Sequence, residues 1–147
     1  MKFLKIRPVK DPTRGTSKSA GIDLYIPYEF NDLTLQPGES ILIPSGLKVE
    51  VPSNHVFVAM NKSGIATKRG LQVGACVIDE DYQGEIHIHL TNITKNPAFI
   101  SGGDKIVQCL ILPINYEGVE IVDDESEMWN GEVTERGSGG FGSTGTK

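Results

Sequence analysis

An all-β domain with one short helix and a glycine-rich C-terminal arm is the fold class this sequence predicts, and three observations predict it. Short apolar and β-branched runs alternate with Pro-Gly, Ser-Gly and Pro-Ser-Asn punctuation, as in "LTLQPGESILIPSGLKVEVPSNHVFVAM" at 33–60. That is the rhythm of short antiparallel strands joined by tight turns. Only "SGIATKRG" (63–70) carries helix signals. The last twelve residues, "RGSGGFGSTGTK", hold five Gly and one bulky apolar side chain, Phe141. Such a composition cannot bury enough surface to offset its own ordering entropy.

Taken in chain order, a first strand is expected at Phe3–Arg7 and several more within 33–60. Ser63 reads as the N-cap of the helix, Ile65 to Arg69 as its body and Gly70 as its stop. Further strands are expected at Gln72–Ile78, Glu85–Asn92 and Lys105–Pro113. Many short strands at close spacing point to a sandwich, jelly roll or barrel. The 147 residues suit one domain, here read as a β body over 1–116, an acidic linker over 117–135 and a mobile arm over 136–147.

Charge follows that division. Residues 1–116 carry 12 Lys/Arg against 11 Asp/Glu, whereas 117–135 carry eight acids and no base. The acidic stretch reads as a solvated connector that Trp129 anchors to the body. No basic run interleaved with aromatics exists, so nucleic-acid binding is not expected. No apolar run spans a bilayer, and "MKFLKIRPVK" lacks an apolar export segment, so a cytoplasmic protein is expected, or a host-cytoplasmic one if viral. Cys76 and Cys109 sit in apolar runs and read as reduced core residues rather than a disulfide framework.

Four stretches place polar groups where a plain β scaffold does not need them. In "SAGIDLYIP", Asp23 lies in an apolar strand, where an acid either caps a turn or holds something cationic. In "NKSGIATKRG", Lys62, Ser63 and Gly64 open the helix, a natural anion site as well as an ordinary cap beside a surface lysine. "VGACVIDEDYQGEIHIHL" reads as a hairpin presenting Asp79, Asp81 and Tyr82. There Asp79 follows Val77-Ile78 at the rim of an apolar strand, and partial desolvation makes a carboxylate a better base. In "GGDKIVQCLILP", the Gln108 amide interrupts an apolar strand and must find partners. His87 and His89 share a strand face but lack a third metal ligand at suitable spacing.

Read in order, these stretches resemble the five motifs of the trimeric dUTPases, the deoxyuridine triphosphate nucleotidohydrolases. "AGIDLY" (20–25) resembles the first, "KSG" (62–64) the second and "GACVIDEDYQGEI" (74–86) the third. "GDKIVQ" (103–108) resembles the fourth and "RGSGGFGSTG" (136–145) the fifth. The resemblance implies a jelly-roll-like β domain, a homotrimer with shared active sites, and Mg²⁺-assisted hydrolysis of dUTP to dUMP and pyrophosphate. That reaction limits uracil incorporation into DNA and supplies dUMP.

It also implies roles. Asp79 orients the water that attacks the α-phosphorus, and Tyr82 lies under the deoxyribose. The backbone of Gly74, Ala75, Cys76, Val77 and Ile78 pairs with the uracil edge. Lys62, Ser63, Gly64 and Gln108 hold phosphates, and Asp23 reaches the water shell of Mg²⁺. From the arm, Arg136, Gly142, Ser143 and Thr144 close on the phosphates while Phe141 stacks over uracil.

Such a division of labour suits phosphoryl transfer, which is mostly positioning and charge compensation. The chain departs from the family pattern at Asn61 (usually Pro), Lys62 and Lys105 (usually Arg) and Cys76 (often Gly). A dCTP deaminase of the same fold and a non-catalytic regulatory trimer are the alternatives. The Asp and Tyr of "VIDEDYQG" argue against the first, and five chemically competent motifs argue against the second.

Overall fold

The computed structural model describes residues 1–140 and 143. It divides into two compact units, Met1–Asn115 and the segment from Tyr116 onward. The first unit is all β apart from one helix. Its strands are β1 (Lys2–Lys5), β2 (Ile22–Tyr25), β3 (Leu33–Leu35), β4 (Ser40–Pro44), β5 (Leu47–Glu50) and β6 (His55–Asn61). After helix α1 (Ser63–Arg69) come β7 (Leu71–Val73), β8 (Val77–Ile78), β9 (His87–Asn92), β10 (Ala98–Ile100) and β11 (Lys105–Pro113).

Two sheets carry the architecture. One has the order β2-β11-β6-β8 and the other β4-β9-β7, flanked by the two-stranded ribbons β1-β5 and β10-β3. Every pairing among these strands is antiparallel. Alternation sets the faces: in β9, Ile88, Leu90 and Asn92 are buried while His87, His89 and Thr91 look outward. The inward side chains of both sheets, among them Leu24, Phe57, Ile88, Leu90 and Val107, meet in one core. β2 is buried at every position, so Asp23 enters the interior on an otherwise apolar strand.

The structure departs from the sequence reading at several points. The strand expected at Gln72–Ile78 is broken: β7 ends at Val73, β8 begins at Val77, and the two belong to different sheets. Ser63 is the first residue of the helix, not its cap. Lys62 holds the cap position with extended backbone (φ −86°, ψ 127°) and no side-chain cap bond. Gly70 does stop the helix, in the left-handed region at φ 62°, and a Cβ there would meet Thr94 Cγ2 at 1.8 Å. Together these two constraints favour glycine.

Cys109 is fully buried, and burial pushes its thiol pKa up to about 12; Cys76 is half-buried, and both are free. In the second unit, short 3₁₀ turns occupy Glu125–Glu127 and Trp129–Gly131, where the sequence suggested a plain linker. Trp129 in that unit is 64% exposed. Among the described residues no helix is long and apolar enough to cross a membrane.

Candidate active site

Strand β6 organises the candidate site, because its two ends hold different chemistry. At its C-terminal end the register sets Asp23 of β2 beside Gln108 of β11, and Gln108 beside Met60 of β6. Lys62 follows directly. Its Nζ lies 2.5 Å from Asp23 Oδ1, and Lys105 Nζ lies 3.2 Å from Asp23 Oδ2. The Asp23 side chain is 5% exposed, so each carboxylate oxygen meets its own ammonium group away from bulk water.

Burial pushes the Asp23 carboxyl up, but the hydrogen bonds and charges of Lys62 and Lys105 together outweigh it and hold it below the ordinary carboxylate range. Both positions where the family usually has Arg thus keep a cation, and both cations converge on one acid. Gln108 is half-buried and donates from Nε2 to the Asn61 carbonyl at 2.8 Å, which gives the amide in the apolar strand its partner. Ser63 and Gly64 are exposed at the start of α1.

At the other end of β6 stands the turn that follows β8. Phe57 pairs with Ile78 and Val58 with Val77, so the chain continues past Val56 into Asp79. The Asn54 amide donates to Glu80 Oε2 at 2.6 Å and pins the turn there. The Tyr82 amide closes the turn on Asp79 O at 3.2 Å, and the Tyr82 hydroxyl donates to Glu85 O at 2.9 Å.

Glu85 anchors the turn from behind: its carboxylate takes Arg7 Nε at 3.1 Å and the Gly46 amide at 2.8 Å. The Arg7 hydrogen bond leads in holding its pKa low, against some desolvation. Asp79 itself is exposed, so the described residues do not supply the desolvation expected at the strand rim. Tyr82 is 43% exposed.

Between these ends the hairpin opens. β7 pairs with β9 through Val73 and Leu90, and the Gly74 amide still reaches His89 O at 3.0 Å. Beyond that step the arms diverge. Cys76 O accepts from the Ala59 amide at 2.7 Å, drawing one arm to β6, while the Ile86 amide donates to Leu47 O at 2.8 Å. Gly74 to Ile78 therefore form one wall of a gap whose other wall begins at His87. Main-chain donors and acceptors in such a gap can read a planar heterocycle by its edge.

In the second unit, Arg136 Nε donates to Gly139 O at 2.9 Å, and the Ser143 amide donates to Gly140 O at 3.0 Å. Phe141, Gly142 and Thr144 lie outside the described residues. Among the described residues no group of three or more His, Cys, Asp and Glu could hold a metal ion. His87 Nδ1 is 2.9 Å from Glu85 O, a turn contact rather than a ligand geometry.

Sequence reasoning missed Lys105 as a partner of Asp23, Glu85 as the anchor of the turn, and Asn61. The Asn61 side chain accepts the Val73 amide at 2.7 Å. The identity of the residue was the available signal, since Asn offers an amide where the related pattern has Pro.

Comparison with known proteins shows the family. The chain is 39% identical over 137 residues to the mouse (Mus musculus) deoxyuridine 5'-triphosphate nucleotidohydrolase, covering 91% of itself and 77% of that protein. Against the human (Homo sapiens) mitochondrial enzyme the identity is also 39%, but the chain spans only 50% of that protein's length. The Hahella chejuensis enzyme is 41% identical over 140 residues, with 92% of this chain and 87% of the relative aligned.

Among solved structures, the dUTPase of Staphylococcus bacteriophage 80alpha with dUPNHPP superposes at a TM-score of 0.84, with 23% identity and 99% and 98% of the two chains covered. The native EIAV dUTPase gives 0.68 at 30% identity, covering 84% of this chain and 96% of its own. These likenesses make the β domain jelly-roll-like. The dUTPase family model matches residues 7–145, and with relatives near 40% identity across nine-tenths of its length the chain belongs to the dUTPase family.

Proposed function

We propose that this dUTPase hydrolyses dUTP to dUMP and pyrophosphate in the cytoplasm, at sites that no single copy of the chain completes. Uracil enters the gap walled by Gly74 to Ile78, with Tyr82 beneath the deoxyribose and Asp79 holding the attacking water at the α-phosphorus. Lys62, Ser63, Gly64 and Gln108 from a neighbouring copy hold the phosphates. Arg136, Phe141, Gly142, Ser143 and Thr144 close the site from the arm. Closure would exclude water and supply the desolvation that exposed Asp79 lacks by itself.

The register of β6 is the observation that carries this reading. Asp79 follows the residue paired with Phe57, whereas Lys62 follows Asn61 at the opposite end of the strand. Six residues of strand at about 3.3 Å each separate the two levels by roughly 20 Å. That exceeds the length of a triphosphate chain. A water-orienting carboxylate and its phosphate-holding cations must act on the same polyphosphate, so they come from different copies. A closed homotrimer, as in the family resemblance, makes three such sites.

Magnesium is tested by the geometry of Asp23. Both of its oxygens are engaged by ammonium groups, but a carboxylate oxygen has a second lone pair free for a water. The residue therefore fits a place in the ion's water shell and not direct ligation. With its remaining positions taken by phosphate oxygens, the ion would neutralise charge that develops on the leaving pyrophosphate. Within this chain, Lys62 and Lys105 against Asp23 leave one net positive charge for the substrate.

Mixing two inactive variants tests the shared site. Asp79→Asn and Lys62→Ala chains, each inactive, are unfolded together, refolded and assayed for pyrophosphate release from dUTP. Random assortment should restore about one quarter of the sites, because each needs Asp79 from one chain and Lys62 from another. If the mixture stays as inactive as its parents, the site lies within one copy. Assaying dUTP, dCTP, dTTP and UTP on the unaltered chain, with and without Mg²⁺, tests the substrate and the metal. Ammonia release from dCTP would indicate a deaminase instead.

A further inference from the structure

We infer that Asn61 and His89 form a clamp on the Val73–Gly74 step that sets the geometry of the base-reading gap, which makes both of them positioning residues for base specificity. The inference rests on the proposed function in one respect only, that the gap takes the base.

The geometry is specific to this step. The gap opens directly after Gly74, so its width at the root depends on where Val73 and Gly74 are held. Asn61 holds one side: its Oδ1 accepts the Val73 amide at 2.7 Å, while its own carbonyl accepts Gln108 Nε2 at 2.8 Å. A Pro at this position could make no such side-chain bond.

His89 holds the other side. It lies opposite the end of β7 on the outward face of β9, and a Cβ built on Gly74 would come within 1.8 Å of its Nδ1 and 2.5 Å of its Cε1. The imidazole edge therefore rests on the Gly74 backbone. Nδ1 is buried there with no hydrogen-bond partner among the described residues. A buried polar atom left unpaired beside a recognition loop is spent on position rather than on stability.

Fixing the root matters because discrimination between uracil and cytosine turns on whether main-chain donors and acceptors meet the right edge groups. A rigid gap leaves the wrong base unpaired, and a loose one can readjust to it. The clamp also has a second connection. Asn61 immediately precedes Lys62, so in the shared arrangement it ties the base gap of one site to the phosphate grip of another.

The experiment uses the full chain with Mg²⁺ and measures kcat and KM for dUTP, kcat/KM for dCTP, and thermal midpoint. Asn61→Leu should raise KM for dUTP about five- to tenfold with kcat within twofold, the size expected for one lost hydrogen bond. The preference for dUTP over dCTP should fall by a similar factor. Asn61→Asp keeps the acceptor and should preserve the preference, since its added charge repels both triphosphates alike.

Gly74→Ala should impair dUTP binding through its collision with His89, and Gly74→Ala/His89→Ala should recover part of the loss. If Asn61→Leu leaves both KM and the preference within twofold, or if the Gly74 and His89 effects simply add, the clamp is refuted while dUTP hydrolysis stands. A normal chain that fails to hydrolyse dUTP would instead overturn the proposed function. A purely structural role would lower the thermal midpoint and active fraction without moving the preference between bases.

Discussion

The two ends of β6 hold their chemistry by different forces. At the Asp79 end, a turn is positioned by backbone hydrogen bonds and by Glu85, and its working side chains stand exposed. At the Lys62 end, a buried carboxylate is locked between two ammonium groups. The first end carries the consecutive acids Asp79, Glu80 and Asp81 on a turn set by hydrogen bonds; the second sets two cations against one buried acid. On the proposed shared-site reading neither is a catalyst alone, and assembly unites two halves that the fold builds separately.

The sharpest way to break this comparison is Asp79→Asn. Loss of a positioned base should lower kcat by roughly 10²–10⁴. Because Asp79 is exposed in its own chain, stability should change by no more than about 0.5 kcal/mol. Turnover with thermal denaturation measures both. Unchanged turnover would remove Asp79 from the chemistry, and a large loss of stability would mean that this end is also structural.

Asp23→Asn should show the reverse balance. It leaves Lys62 and Lys105 close together without their shared counter-charge. Removing one member of a buried pair costs about 3–5 kcal/mol, reduced here to about 2 kcal/mol because the lysines are partly hydrated. The pH dependence has a definite sign. The folded pKa of Asp23 is depressed, so its stabilisation is present above the ordinary carboxylate pKa of about 4. It is lost as pH falls through the lower folded value. Acid titration of stability should therefore be shallower in Asp23→Asn than in the parent chain below about pH 4. Parallel titration curves would mean that the ion pairs do not couple to folding.

The same contrast explains what the sequence disclosed. Lys105–Pro113 and the Gly70 stop were legible because strand alternation and left-handed backbone are properties of neighbouring residues. The residues of the site were legible as chemical types in order. Their grouping was not. Asp23 and Lys105 lie far apart in the chain, and Asn61 meets Val73 only because the chain returns after α1 to lay β7 beside β6. The strand expected over Gln72–Ile78 failed for a related reason. Its apolar pattern is continuous, but tertiary pairing draws β7 to β9 and β8 to β6, which opens the gap. The exposure of Asp79 was equally hidden, since a rim position beside an apolar strand does not by itself say which side faces solvent.

The smallest expected effect is at Gly64, and it separates stability from function most cleanly. Gly64 sits in the first turn of α1, and a Cβ built there meets nothing within 4 Å among the described residues. Ala at this position should therefore stabilise the helix by about 0.5–1 kcal/mol, since Gly loses more backbone freedom on folding. A chain free to choose by stability alone would carry Ala. If the open space above Gly64 is where a phosphate or a neighbouring hairpin approaches, Gly64→Ala should raise the thermal midpoint and yet raise KM for dUTP. A rise in stability with unchanged KM would show that the Lys62 end does not need close approach at this residue. The phosphate grip would then rest on Lys62, Ser63 and Gln108 alone.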